Sequence, residues 1–189
     1  MPQRGRVWKN HPMAQNRHIR DYRLVETIDE RGRIRTDYEY IGNDYYYLRG
    51  AEAVIRDRRT ARIVCAAAWA AFVGGLLPNS GGMRTLWVSM PYIFTAVPLG
   101  VLTETLITAV PEKEPLQHRQ ADRLENRFPP ASLAAAALPL ISLVGEGIDL
   151  LLARPLNGGD AVLSLCAAMM AVCAAFVFSR RKRFGVRKG

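Results

Sequence analysis

Four apolar runs constrain this chain more than any other feature. They cover residues 63–78, 85–110, 131–153 and 161–179. A helix needs about 20 residues to cross about 30 Å of hydrocarbon. The second and third runs meet that length as they stand, and the fourth does so with its flanks. The first is short and alanine-rich, so it has to extend through Ala61, with Arg62 reaching up to the headgroups. A buried helix of a water-soluble protein shows charges at helical spacing on one face, and the first and fourth runs contain none. The mean hydropathy of -0.03 hides this pattern, because residues 1–62 are polar and basic.

Charge orients the runs. Of 26 Lys and Arg, 14 precede residue 63, four lie in 111–130 and six follow residue 179. The turns at 79–84 and 154–160 hold one each, Arg84 and Arg154. The positive-inside rule then puts both termini and 111–130 in the cytoplasm of a multi-pass cell-membrane protein. Such short turns can join only neighbouring antiparallel helices. The expected fold is therefore an all-α membrane protein, a four-transmembrane-helix bundle of two helical hairpins. Its spans are about 61–78, 85–110, 131–153 and 160–179. Small residues four apart predict close helix packing within the bundle: Ala66, Ala70 and Gly74 in span 1, and Ala167, Ala171 and Ala175 in span 4.

Outside the spans, residues 1–20 read as a disordered basic terminus. Residues 21–48 alternate in polarity, as in "YRLVETID" and "IRTDYEY" around a "DERG" turn. This predicts a small cytoplasmic β-hairpin, with "YYYL" as a third strand of a meander. Six of seven tyrosines fall here: Tyr22, Tyr38, Tyr40, Tyr45, Tyr46 and Tyr47. So small a sheet cannot bury its own core, and these tyrosines are candidates for docking a protein partner or a second copy of the chain. Residues 49–60 lead as a juxtamembrane helix into span 1. Residues 111–130 read as an amphipathic linker helix held between prolines, with Leu116, Leu124 and Phe128 on one stripe. The tail at 180–189, with Arg180, Arg181, Lys182 and Arg183, is expected to fix topology and to attract anionic lipid. The net charge of +9 flanks apolar runs, and no RNP-like motif accompanies it, which argues against nucleic acid as a partner.

Three acids fall within spans. Glu146 and Asp149 continue a stripe from Pro139 and Ser142 at helical spacing, so they should face the bundle interior. Arg84 and Arg154 are the expected counter-charges. Glu104 lies at the opposite end of span 2, roughly 15–20 Å from Glu146 along the membrane normal. Asp160, just before span 4, reads as an N-cap. The histidines, His11, His18 and His118, lie outside the spans, and there is no HExxH, G-x-S-x-G or GK[ST] motif. Cys65, Cys166 and Cys173 are isolated in apolar surroundings. No catalytic residue, metal or cofactor is therefore expected. The pattern points to a non-enzymatic accessory or scaffold subunit of a larger membrane assembly. The competing reading is a small proton- or cation-handling channel or transporter built on Glu104, Glu146 and Asp149.

Overall fold

A computed structural model describes residues 22–28, 34–110, 115–152 and 157–189. Two strands, β1 (Tyr22–Ile28) and β2 (Ile34–Tyr40), pair antiparallel with Tyr22 opposite Tyr40 and Ile28 opposite Ile34. The alternating pattern produces this hairpin. Its "DERG" turn lies outside the described residues, as do residues 1–20 and Lys113.

The third strand departs from the expected meander. Strand β3 (Tyr45–Tyr47) does not extend the hairpin. It pairs antiparallel with β4 (Val186–Lys188), at the far end of the chain. Tyr45 also exchanges backbone hydrogen bonds with Leu116 at 3.1 and 2.8 Å. The reason is burial. Tyr47, Val186, Phe184, Leu116 and Phe128 are all buried, and Phe128 and Phe184 rings meet at 5.3 Å. The stripe of Leu116, Leu124 and Phe128 thus packs inward, within a small cap at one end of the helices.

Helix α1 (Ala51–Leu76) starts beside Gly50, whose φ of 80° suits a residue without Cβ. Helix α2 (Leu86–Phe94) passes through Thr95 into α3 (Ala96–Thr108). The break falls where Pro98 would crowd the carbonyl four residues back, that of Phe94. Helix α4 (His118–Asp122) continues through a π-helical turn, Arg123–Arg127, into α5 (Phe128–Leu151). Helix α6 (Gly158–Ser179) completes the set. The prolines at 129 and 130 were expected to end the linker helix. They stand instead at the first turn of α5, where a missing N–H costs little. The Phe128 N–H reaches back five residues to the Arg123 carbonyl, so the chain widens into a π turn rather than stopping.

Three helical stretches are long and apolar enough to cross a membrane: Leu86–Thr108, His118–Leu151 and Gly158–Ser179. Helix α1 spans 26 residues, but Glu52, Arg56, Asp57, Arg58, Arg59 and Arg62 crowd its first half. Helix α1 packs on α3 and α6, and α5 packs on α2, α3 and α6. The interior holds Val88, Tyr92, Leu99, Leu102, Ala135, Leu163 and Met170. The outside is apolar as well: Ile63, Leu86, Phe94, Val97, Val144, Leu165 and Val172 are all more than half exposed. Large apolar side chains exposed on each of these helices are what a water-soluble monomer avoids. With the three long apolar helices, they mark a membrane protein.

The small-residue stripe of α1 differs by about one residue from expectation. Ala66 and Ala70 are exposed, whereas Ala61, Cys65, Ala68, Ala71 and Gly75 face the core. In α6, Ala167 and Ala171 are buried and Ala175 is exposed. Gly75 is needed where it stands, since a Cβ there would lie 2.8 Å from Tyr92 Cζ. The Tyr92 hydroxyl donates to the carbonyls of Ala71 and Phe72 at 3.1 and 2.9 Å.

Candidate functional site

The polar groups of the bundle gather at its two ends. At the turn end, α5 directs Ser142, Glu146 and Asp149 inward, because they share one face with the buried Ala135 and Pro139. Ser142 Oγ donates to the Val88 carbonyl at 2.9 Å. Gly145 lets the α2 backbone come close: a Cβ there would stand 3.1 Å from the Trp87 oxygen. Pro91 leaves that oxygen without its usual helical donor. Asp149 accepts from Thr85 Oγ1 through Oδ2 and from Trp87 Nε1 through Oδ1, both at 3.0 Å. Glu146 is 2% exposed. Its carboxylate lies against Gly82, where an added Cβ would stand 2.7 Å from Cδ.

Asp160 belongs to this cluster, and its role differs from the expected N-cap. Asn157 is the N-cap of α6, and Asp160 is the third helical residue of a capping box. Asn157 Oδ1 accepts from the Asp160 N–H at 3.0 Å, and Asp160 Oδ2 accepts from the Asn157 N–H at 3.2 Å. The other oxygen crosses to the first hairpin. It accepts from Ser80 Oγ at 3.0 Å, from Gly81 N–H at 2.8 Å and from Gly82 N–H at 3.3 Å. Asp160 is 0% exposed. One carboxylate thus joins the start of α6 to the turn between α1 and α2. The arginines suggested as counter-charges sit differently. Arg84 donates to Asn79 Oδ1 at 3.2 Å, five residues back on its own exposed turn, and Arg154 lies outside the described residues. Among the described residues, no three His, Cys, Asp or Glu side chains converge as a metal ligand set.

At the strand end, Glu104 is half-exposed and pairs with Arg123 at 2.6 Å; the same guanidinium nitrogen donates to Thr108 Oγ1 at 2.8 Å. The π turn is what carries Arg123 here. The arginines of α1 also turn toward the neighbouring helix. Arg62 donates through Nε and Nη2 to the Leu106 carbonyl at 3.3 and 3.0 Å, and Arg58 donates to the Val110 carbonyl. Carbonyls in the last turn of a helix lack internal donors and carry partial negative charge, so cations there are favourable.

The tail and the tyrosines are engaged within the chain. Asp57 of α1 meets Arg183 at 3.1 Å, Arg180 at 3.3 Å and Arg49 at 3.9 Å. Arg180 and Arg181 also lie over the rings of Phe176 and Phe178, while Lys182 is exposed. Tyr40 Oη accepts from the His118 N–H and donates to the Asn43 carbonyl, both at 2.8 Å. Tyr45 stacks on His118, Tyr46 lies beside Gly189, and Tyr47 is 3% exposed. The side chains of Tyr22 and Tyr38 lie outside the described residues. Reading the sequence missed Ser80, Gly82, Trp87, Asp57 and Arg58, and gave Asp160 only a local capping role. The available signal was weak: an aspartate three residues after an asparagine, and an acid among arginines. No protein-family model, no curated protein and no solved structure matches this chain.

Proposed function

We propose that this is a four-span membrane protein with its strand end in the cytoplasm, acting as a non-enzymatic accessory or scaffold subunit of a larger membrane assembly. Chain parity supports the fourth crossing. Strand β3 precedes α1 and β4 follows α6, and the two pair. Three crossings between them would leave the strands on opposite sides of the membrane. Four crossings return them to one side, which supports α1 as a span. Its apolar part, residues 63–76, is about 21 Å long, short of hydrocarbon thickness. Local thinning of the bilayer and the docked Arg58 and Arg62 offset that deficit. The basic residues of the described segments 49–62, 119–127 and 180–188 fall on the strand side, in keeping with a cytoplasmic location.

The observation that carries the scaffold role is the apolar plug between the two polar ends. Tyr92, Leu99, Leu102, Ala135, Leu163 and Met170 fill the middle of the bundle. The buried hydroxyls of Thr95, Thr105 and Ser132 are turned to carbonyls of their own helices. Among the described residues no chain of polar side chains links Glu146 to Glu104, which supports the scaffold reading over a relay for protons or cations. Asp149 and Asp160 instead bind the segment between α1 and α2. Reconstituted vesicles test this. Proton and potassium flux should equal that of protein-free vesicles, and Glu146→Gln with Asp149→Asn should leave it unchanged. Flux that those substitutions abolish in a folded protein would favour the channel reading. Copurification of a stoichiometric protein partner in mild detergent is the expected positive sign of the scaffold role.

A further inference from the structure

A groove of about 520 Å³ runs between α1 and α3 on the outside of the bundle, near the strand end. Its walls are aliphatic and aromatic: Ala66 and Trp69 on one side, Leu106 and Ile107 on the other. Cys65 and Thr103 form part of the lining, and Trp69 Nε1 donates to Thr103 Oγ1 at 2.9 Å, so no polar hydrogen is left unsatisfied on the indole. Arg62 sits at the end nearer the basic part of α1, seven residues or about 10 Å from Trp69. Nε and Nη2 of Arg62 are committed to the Leu106 carbonyl, which aligns the guanidinium at this end of the groove. Arg59, one turn earlier on the same face, is exposed. The acid next to the groove, Glu104, is already offset by Arg123. A cation at one end of an apolar trough matches one chemistry, a negatively charged headgroup with an acyl chain attached.

We propose that this groove holds an anionic phospholipid of the cytoplasmic leaflet. Its phosphate lies at Arg62 and Arg59, and one acyl chain lies along Ala66, Ile107 and Trp69. The site rests on α1 being a membrane span, and goes beyond that reading by naming a bound lipid and its residues. Basic pockets between membrane helices on the cytoplasmic side are the setting in which such headgroups bind. The site is distinct from the tail arginines, which face Asp57 and the Phe176 and Phe178 rings.

Brominated lipids test it in the full-length protein. Substituting Trp8 and Trp87 by phenylalanine leaves Trp69 as the only tryptophan. In bilayers of phosphatidylcholine and phosphatidylglycerol, bromine on a minor phosphatidylglycerol fraction should quench Trp69 with about fivefold higher apparent affinity than the same fraction of brominated phosphatidylcholine. Arg62→Gln should abolish that preference. Ala66→Phe, which fills the groove and leaves every charge in place, should weaken quenching by both lipids. Equal quenching by the two lipids, or a preference that survives both substitutions, overturns the lipid site. Absence of quenching by any brominated lipid would overturn it as well, and would remove α1 from the bilayer altogether.

Discussion

Replacing Asp160 with alanine is expected to lower the stability of the protein in mild detergent by about 3–5 kcal/mol. The carboxylate is fully buried and accepts from Ser80 Oγ and from the N–H groups of Gly81, Gly82 and Asn157. Alanine strands these donors at a place where Ser80 and Gly82 are themselves buried. Part of the loss belongs to the capping box of α6. Asn157→Ala isolates that part and should cost about 1 kcal/mol. The excess of Asp160→Ala over Asn157→Ala therefore measures the bonds that cross between hairpins. Asp160→Asn should fall between them, since its amide oxygen can still serve the turn at 80–82. Denaturant titration of all three variants checks the order. Equal losses for Asp160→Ala and Asn157→Ala would mean that the bonds between hairpins contribute nothing.

Gly82→Ala is the second large effect, at about 1–3 kcal/mol from overpacking. The new methyl would occupy the space of the Glu146 carboxylate, which is itself buried. Glu146→Ala removes the obstacle. The double variant should thus be less destabilised than the sum of the single ones, by about 1 kcal/mol or more in a thermodynamic cycle. Strict additivity would show that Gly82 and Glu146 do not meet. The result also bears on why an acid stands in an apolar helix. Glu146 fills a cavity roofed by a glycine turn, next to the two carboxylates that tie that turn to α5 and α6.

Much of the helical layout is legible in the residues alone, because hydrophobic runs report hydrocarbon directly. The inward face of α5 is legible too, from the spacing of Pro139, Ser142, Glu146 and Asp149. What was not legible depends on pairs distant in the chain. Strand β4 is three residues long and means little until β3 lies beside it, about 140 residues earlier. Asp160 and Ser80 are separated by 80 residues, so the local capping pattern was visible and the cross-hairpin bond was not. The two prolines at 129 and 130 carry an intrinsic stop signal that the π turn overrides. The bonds from Arg62 to the Leu106 carbonyl were hidden as well, because only the packed pair of helices brings the end of α3 within reach. The contacts that the tail and residue 118 make with Tyr40, Tyr45 and Tyr47 were hidden for the same reason, since those partners lie far along the chain.

The most direct measurement is the sidedness of three exposed positions, each changed to cysteine in a background lacking Cys65, Cys166 and Cys173. Glu52 lies in the first turn of α1, Arg84 on the turn between α1 and α2, and Lys188 in β4. Four crossings predict that a membrane-impermeant maleimide labels position 84 in intact cells, and labels 52 and 188 only after permeabilisation. Labelling that places 52 and 84 on the same side, with 188 on the other, would mean that α1 does not cross and would contradict the four-span arrangement.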